Sequence, residues 1–190
     1  LDVVPASIDL SGAELEVADM ENRNVLLKTA VDEFLETSEE HYDYVIIDCP
    51  PSLGLLVINA MCAVHEMLIP IQAEYYALEG LGQLINTIGL VQEHFNPSLL
   101  VSTMLITMFD KRTLLSREVH DEVKNHYPTI VLNTTIPRTV KISEAPSFNQ
   151  SVIAYDPKGM GAIAYCEAAL EIARRSQTVL KAIDARRNEN

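Results

Sequence analysis

The stretch with the most evident capacity for chemistry is YVIIDCPP, residues 44–51. Tyr44, Val45, Ile46 and Ile47 form a continuous, largely β-branched apolar run, the composition of a strand buried on both faces of a helix-covered parallel sheet. Asp48 ends that run. An unpaired buried carboxylate is costly or takes up a proton, so Asp48 is expected at the strand's C-terminal tip. Pro50 and Pro51 lack N–H donors and turn the chain out of the sheet. In open α/β sheets, ligands bind at that edge. Two roles fit Asp48: a carboxylate aimed at a metal-bound phosphate, directly or through water, or a simple loop cap. Other metal chemistry has little support. His41, His65, His94, His120 and His126 show no metal-ligand spacing. Cys49, Cys62 and Cys166 are scattered within apolar surroundings, the pattern of reduced core thiols in a cytosol.

The elements that must position Asp48 can be read along the chain. LDVVPA opens as a short strand. In LSGAEL, Ser11 and Glu14 have the spacing of a capping box, with Leu10 and Leu15 as its hydrophobic staple. Asn22 is placed to cap a second helix, in which Leu27, Val31 and Leu35 share a face. GLLVINAMCAV then reads as a helix and EMLIPIQ as a strand. Leu81, Leu84, Ile85, Ile88 and Val91 recur at helical spacing between Ala77 and Phe95. LLVSTMLITM is a strand, LLSREVHDEVKNHY an amphipathic helix, and TIVLNTTIP a further strand. A long helix starts near Gly159 and passes Arg175, with a frayed polar tail over about 180–190. Strands alternating with helices predict one α/β domain over residues 1–190, with a doubly wound, mostly parallel sheet.

The 190 residues carry a net charge of −13, unevenly spread. Residues 1–102 hold 2 basic and 17 acidic side chains, whereas residues 103–160 hold 7 basic and 6 acidic. The balance argues against a generic nucleic-acid binder, yet it permits a local basic face; ordinary solvated surface fits the counts as well. No stretch approaches the ~20 apolar residues of a membrane span, so no membrane partner is expected.

HYDYVIIDCPPSLGLLVINAM closely resembles the Walker B region of the ParA/Soj chromosome- and plasmid-partitioning ATPases. VVPASIDLSGAELE, IPIQAEYYALEGLGQLINTI, LITMFDKRTLLSREV and TTIPRTVKISEAPSFNQSVIAYDPKGMGA resemble further segments of that family, in the same order. The resemblance covers most of residues 1 to about 170 and implies a P-loop NTPase-like fold. That family builds its ATP site on a KGGVGKT-type loop after its first strand, where backbone N–H groups and a lysine cradle phosphates. No glycine here precedes a Lys-Ser or Lys-Thr pair, and KGMGA (residues 158–162) reads as a helix entry. The expectation is a fragment without the first strand, phosphate loop and helix, and inactive by itself. The resemblance also places the missing strand beside Val45–Asp48, leaving that edge unpaired.

What the resemblance implies about sites follows residue by residue. Asp48 is the Mg²⁺ carboxylate, acting through water, and Cys49, Pro50 and Pro51 are the switch after it. Thr107, Met108, Pro137 and Arg138 lie at strand tips near the adenine; for Met108, core packing is an equal alternative. Lys111, Arg112, Arg117, Arg138, Lys141 and Lys158 are candidates for a non-specific double-stranded DNA surface. Thr139 and Lys141 stand where relatives often have Asn and Arg, and Phe148 and Asn149 where His and Gly are common. The implied function is ATP-dependent DNA partitioning, with a homodimer formed on ATP, hydrolysis stimulated by a ParB-type protein, and action on the nucleoid in a bacterial cytoplasm. Two other readings are a P-loop-less paralogue serving as a binding module, and an unrelated α/β enzyme using Asp48 as a nucleophile.

Overall fold

EMLIPIQ becomes strand β1, Glu66–Gln72, and LLVSTMLITM becomes β2, Leu100–Thr107. The backbone bonds Leu100 N to His65 O and Ala73 N to Thr107 O, both 2.9 Å, advance together along the two strands. The pair is therefore parallel. The computed structural model describes residues 1–188, except for the side chains of Ser11 and of residues 176–188. The helices are α1 (Leu10–Glu16), α2 (Leu26–Thr37), α3 (Leu55–Ala63), α4 (Tyr76–His94), α5 (Leu114–His126), α6 (Val140–Glu144), α7 (Val152–Tyr155) and α8 (Met160–Asn188). A short 3-10 helix, Ala145–Phe148, lies between α6 and α7. The frayed tail expected over about 180–190 falls largely where side chains are outside the described residues.

The chain divides into two compact units, Leu1–Glu66 with Leu84–Leu100, and Met67–Gln83 with Val101–Asn190. In the first, α2 packs on α3, whose Val57, Ala60, Met61 and Cys62 are buried. Two asparagines cap helices to which they do not belong. Asn59, buried on apolar α3, accepts a hydrogen bond from Leu27 N at 3.2 Å in the first turn of α2 and donates to Arg23 O at 2.6 Å. That replaces the cap expected from Asn22: the residue before α2 is Val25, with no side-chain cap. Asn96 donates to Met61 O and Val64 O, both 2.8 Å, satisfying carbonyls at the end of α3. The capping box is also corrected. The residue before α1 is Asp9, the Ser11 side chain lies outside the described residues, and Glu14 instead accepts from Leu56 N at 3.1 Å, at the start of α3.

Two expected strands of this unit are absent. LDVVPA is irregular and exposed. Tyr44–Ile47 forms no strand either, and Ile46 is 89% exposed. A β-branched run becomes a strand only with a neighbour to complete its ladder, and the described residues offer it none. The three cysteines are free, but the core placement needs correction: only Cys62 is buried, whereas Cys49 and Cys166 are exposed.

In the second unit, Leu105, Leu132, Ile136, Ala164 and Ala168 form a buried cluster, flanked by Ile142 and Ile172. Alanines on α8 let that helix lie close to β2 and to residues 131–136. KGMGA is indeed the entry to α8. A Cβ on Gly161 would lie 2.8 Å from Ile142 Cγ1, so glycine is what lets α8 approach α6.

TIVLNTTIP, expected as one strand, runs beside β2 but is interrupted. Met104 bridges Val131 and Phe109 bridges Pro137, both in parallel sense. Leu132 N donates to Met104 O but Ile136 N to Ile106 O, so two steps along β2 are matched by four along its neighbour, a two-residue interruption at Asn133–Thr135; one extra residue on the β2 side, at Met108, brings the net offset at Phe109 to one. The amides displaced there are taken up by α8. Glu171 accepts from Asn133 N at 3.0 Å, Thr134 N at 3.1 Å and the Thr134 hydroxyl at 3.1 Å. Arg175, one turn on, donates to Ile130 O at 2.9 Å, Val131 O at 3.0 Å and Glu171 at 2.8 Å. Burial pushes the Glu171 carboxyl up, but the amides of Asn133 and Thr134, the Thr134 hydroxyl and Arg175 outweigh it, and its pKa is lowered.

A carboxylate whose folded pKa is depressed adds stability that is complete above its unfolded value and lost as pH falls through the folded one. Glu171→Gln is therefore expected to lower the unfolding free energy by about 2 kcal/mol near neutral pH. The difference should shrink as pH drops below 4.5. Denaturant titrations of both proteins across that range check it; a pH-independent difference would show that the charge is not what matters.

Candidate functional site

The sheet brings two of the proposed strand tips together. Thr107 ends β2, and its hydroxyl reaches Ile71 O at 3.4 Å. The chain then turns through Met108, which has φ 53°, a left-handed conformation uncommon outside glycine. Such a residue costs on the order of 1 kcal/mol unless its surroundings impose it. Here the next residue does so: Phe109 N donates to Ile136 O at 3.0 Å, and Arg138 N donates to Phe109 O at 3.1 Å. Thr107–Met108 and Pro137–Arg138 consequently lie side by side where two parallel segments end. Met108 is half-buried, as is Pro137.

Charge is arranged around these tips in pairs. The guanidinium of Arg112, with Nη2 2.8 Å from Oδ2, and its backbone N–H hold the Asp110 carboxyl down to about 2. Arg138 NH1 lies 3.6 Å from Glu74, in the turn after β1. Ser116, buried at the start of α5, donates to Ala73 O at 3.2 Å and fixes that helix against the end of β1. Lys111 and Arg117 are exposed and have no ion-pair partner among the described residues.

Lys141 belongs to a separate group on the short helices. Its ammonium is 3.1 Å from Glu144 and 5.2 Å from the centroid of the Tyr155 ring. Phe148 stacks on Tyr155 with centroids 5.0 Å apart. Asn149, where a glycine is common in the family the sequence resembles, has φ 54° and closes the 3-10 helix. Asn is among the few residues that tolerate this conformation, so this departure preserves the backbone. Lys158 is exposed just before α8.

Asp48, Cys49, Pro50 and Pro51 lie in the first unit, all exposed. They lead through Gly54 into α3, whose first turn is held by Glu14; a Cβ on Gly54 would lie 2.5 Å from the Glu14 carboxylate. Asp48 is thus an accessible oxygen donor, as an unpaired carboxylate should be, but no strand leads into it. No cluster of three or more metal-ligating side chains occurs among the described residues. A single accessible carboxylate suits a Mg²⁺ ion that keeps most of its waters. The sequence assigns no role to Asn59, Glu171 or Arg175, and it gives Glu14 a different partner from the one the structure shows. Asn59 left a signal, as a lone amide inside an apolar helix. Glu171 and Arg175 left another, as opposite charges one helical turn apart.

Known proteins share this layout. A family model described as an AAA domain matches residues 1–101. The chain is 51% identical over 173 residues to the sporulation initiation inhibitor protein Soj of Bacillus subtilis, covering 91% of this chain and 67% of that one. It is 46% identical to the chromosome partitioning protein ParA of Myxococcus xanthus, covering 92% of this chain and 60% of that one. Among solved structures, cobyrinic acid a,c-diamide synthase from Mycobacterium smegmatis with bound ADP and magnesium matches with a TM-score of 0.73 and 38% identity, over 91% of this chain and 62% of that one. The chain thus spans about two thirds or less of the length of the proteins it matches. The fold is the doubly wound, mostly parallel α/β fold of P-loop NTPases. Likeness of this extent, running through the Asp48 segment and both strand tips, identifies the chain as a member of the ParA/Soj family of partitioning ATPases.

Proposed function

We propose that these residues serve a DNA-partitioning ATPase. It binds ATP with Mg²⁺, dimerises on the nucleotide, coats double-stranded DNA without sequence preference, and hydrolyses ATP when a ParB-type protein stimulates it. The observation that carries this reading is the pairing of the Thr107–Met108 and Pro137–Arg138 tips at the C-terminal end of parallel strands, the edge where open α/β sheets receive ligands. Met108 and Pro137 would pack on the base. The Asp48 carboxylate would hold the Mg²⁺ water shell, and the metal would neutralise phosphate charge. Cys49, Pro50 and Pro51 would pass the state of the nucleotide into α3, whose entry is fixed by Glu14. No helix among the described residues is long and apolar enough to cross a membrane. Action on the nucleoid in the cytoplasm belongs to the same proposal.

These 190 residues contain no glycine-rich loop followed by Lys-Ser or Lys-Thr to cradle phosphates. The chain alone is expected to release no phosphate above a protein-free blank. In the natural full-length protein, Asp48→Ala is expected to slow Mg²⁺-dependent turnover by at least about tenfold, about 1.4 kcal/mol of barrier, with an unchanged circular dichroism spectrum. Steady-state phosphate release measures both. Normal turnover by the variant would remove Asp48 from the site.

For the DNA face, the candidates are Lys111, Arg112, Arg117, Arg138, Lys141 and Lys158. Every cation removed from a DNA phosphate should reduce the log–log salt slope on duplex DNA by ~0.9. Replacing Arg117 and Lys141 together by Ala should weaken binding on every sequence tested and flatten that slope. Titrations at several salt concentrations read it, and an unchanged slope would place the DNA surface elsewhere.

A further inference from the structure

The six cations of that DNA face are not equivalent. Arg112 is paired with Asp110 at 2.8 Å, Arg138 with Glu74 at 3.6 Å and Lys141 with Glu144 at 3.1 Å. Lys111, Arg117 and Lys158 have no such partner among the described residues. Of the three pairs, the one at Lys141 is held from a second side. Glu144 Oε2, the oxygen that meets Lys141, also accepts the Tyr155 hydroxyl at 3.2 Å. The Tyr155 ring lies 5.2 Å from the same ammonium, and Phe148 stacks against that ring. The carboxylate is therefore kept beside Lys141 by its neighbours rather than by Lys141 alone. Its pKa is lowered, by the Lys141 hydrogen bond first, which outweighs the opposing effect of burial. At neutral pH it is ionised and lies in hydrogen-bond contact with the Lys141 ammonium.

We propose that Glu144 is a built-in competitor of DNA phosphate for Lys141, anchored by Tyr155, and that it sets how strongly this face binds DNA. The inference rests on the DNA-face reading and refines it. Both side chains are about half exposed, 54% for Lys141 and 40% for Glu144. An exposed pair is worth little, so a phosphate can displace the carboxylate at modest cost. Until it does, the Lys141 charge is neutralised and contributes less than a free lysine to counterion release.

The test uses the natural full-length protein with ATP and Mg²⁺ and a short duplex of arbitrary sequence, titrated at several salt concentrations. Glu144→Gln keeps an acceptor for Tyr155 and removes the charge. It is expected to bind about two- to fivefold more tightly at low salt, with a salt slope steeper by up to ~0.9. Tyr155→Phe leaves the charge but removes its anchor, and a smaller tightening is expected. In a Lys141→Ala background, Glu144→Gln should lose most of its effect. Weakened binding by Lys141→Ala together with unaltered binding by Glu144→Gln overturns the inference and leaves the DNA face standing. So does an equal gain from Glu144→Gln with and without Lys141, because general repulsion would then account for it. Lys141→Ala binding as tightly as the parent removes this residue from the DNA face, and the inference with it. If Glu144→Gln does not fold, Tyr155→Phe decides: unchanged affinity overturns the proposal.

Discussion

The second unit depends on how α8 deals with a fault in the sheet. Two residues too many between Leu132 and Ile136 leave the amides of Asn133 and Thr134 without a partner on β2. Unpaired backbone groups of this kind each cost about 1–3 kcal/mol when buried. Glu171 takes both amides and the Thr134 hydroxyl, and Arg175 takes the carbonyls of Ile130 and Val131 while steadying Glu171. An ion pair on a helix surface would contribute little by itself. Here its charge is used to satisfy backbone groups, where charge-assisted hydrogen bonds are roughly twice as strong as neutral ones.

The site inherits its geometry from that repair. Because the bulge is absorbed, pairing resumes at Ile136, and Phe109 can bond on both sides of Pro137, to Ile136 and Arg138. Those bonds hold Met108 in a conformation it would otherwise avoid, next to Pro137. An apolar platform therefore forms at the strand ends, with the paired charges Asp110–Arg112 and Glu74–Arg138 beside it. The same helix that repairs the sheet also carries Gly161, whose missing Cβ admits Ile142 and so sets the α6 segment that presents Lys141.

Much of this was legible in the sequence where a local rule and the tertiary outcome agree. Glu66–Gln72 is an apolar run with a partner, so its bounds and type could be read directly; the 3.6-residue period of α4 and α5 is equally plain. Legibility fails where the answer depends on a distant group. Tyr44–Ile47 has every property of a strand except a neighbour. TIVLNTTIP reads as continuous because nothing local announces that Glu171, 38 residues from Asn133, will capture its amides. The cap on α2 comes from Asn59 rather than from Asn22 for the same reason. At the site, the order of family-like segments pointed to Asp48 and the strand tips; Lys141 and Glu144 are three residues apart on α6, but the Tyr155 hydroxyl that anchors the carboxylate meets it only once α6 and α7 fold together.

If the Glu171–Arg175 pair keeps the strand tips in register, disturbing it must be felt beyond the groups it touches. Amide hydrogen exchange, compared between the native protein and Glu171→Gln, is the decisive measurement. Faster exchange is expected not only at Asn133 and Thr134, whose acceptor is altered, but also at Ile136, Phe109 and Arg138, whose bonds depend on the repaired register. Faster exchange confined to Asn133 and Thr134, with Phe109 and Arg138 as protected as before, would contradict that role for the pair.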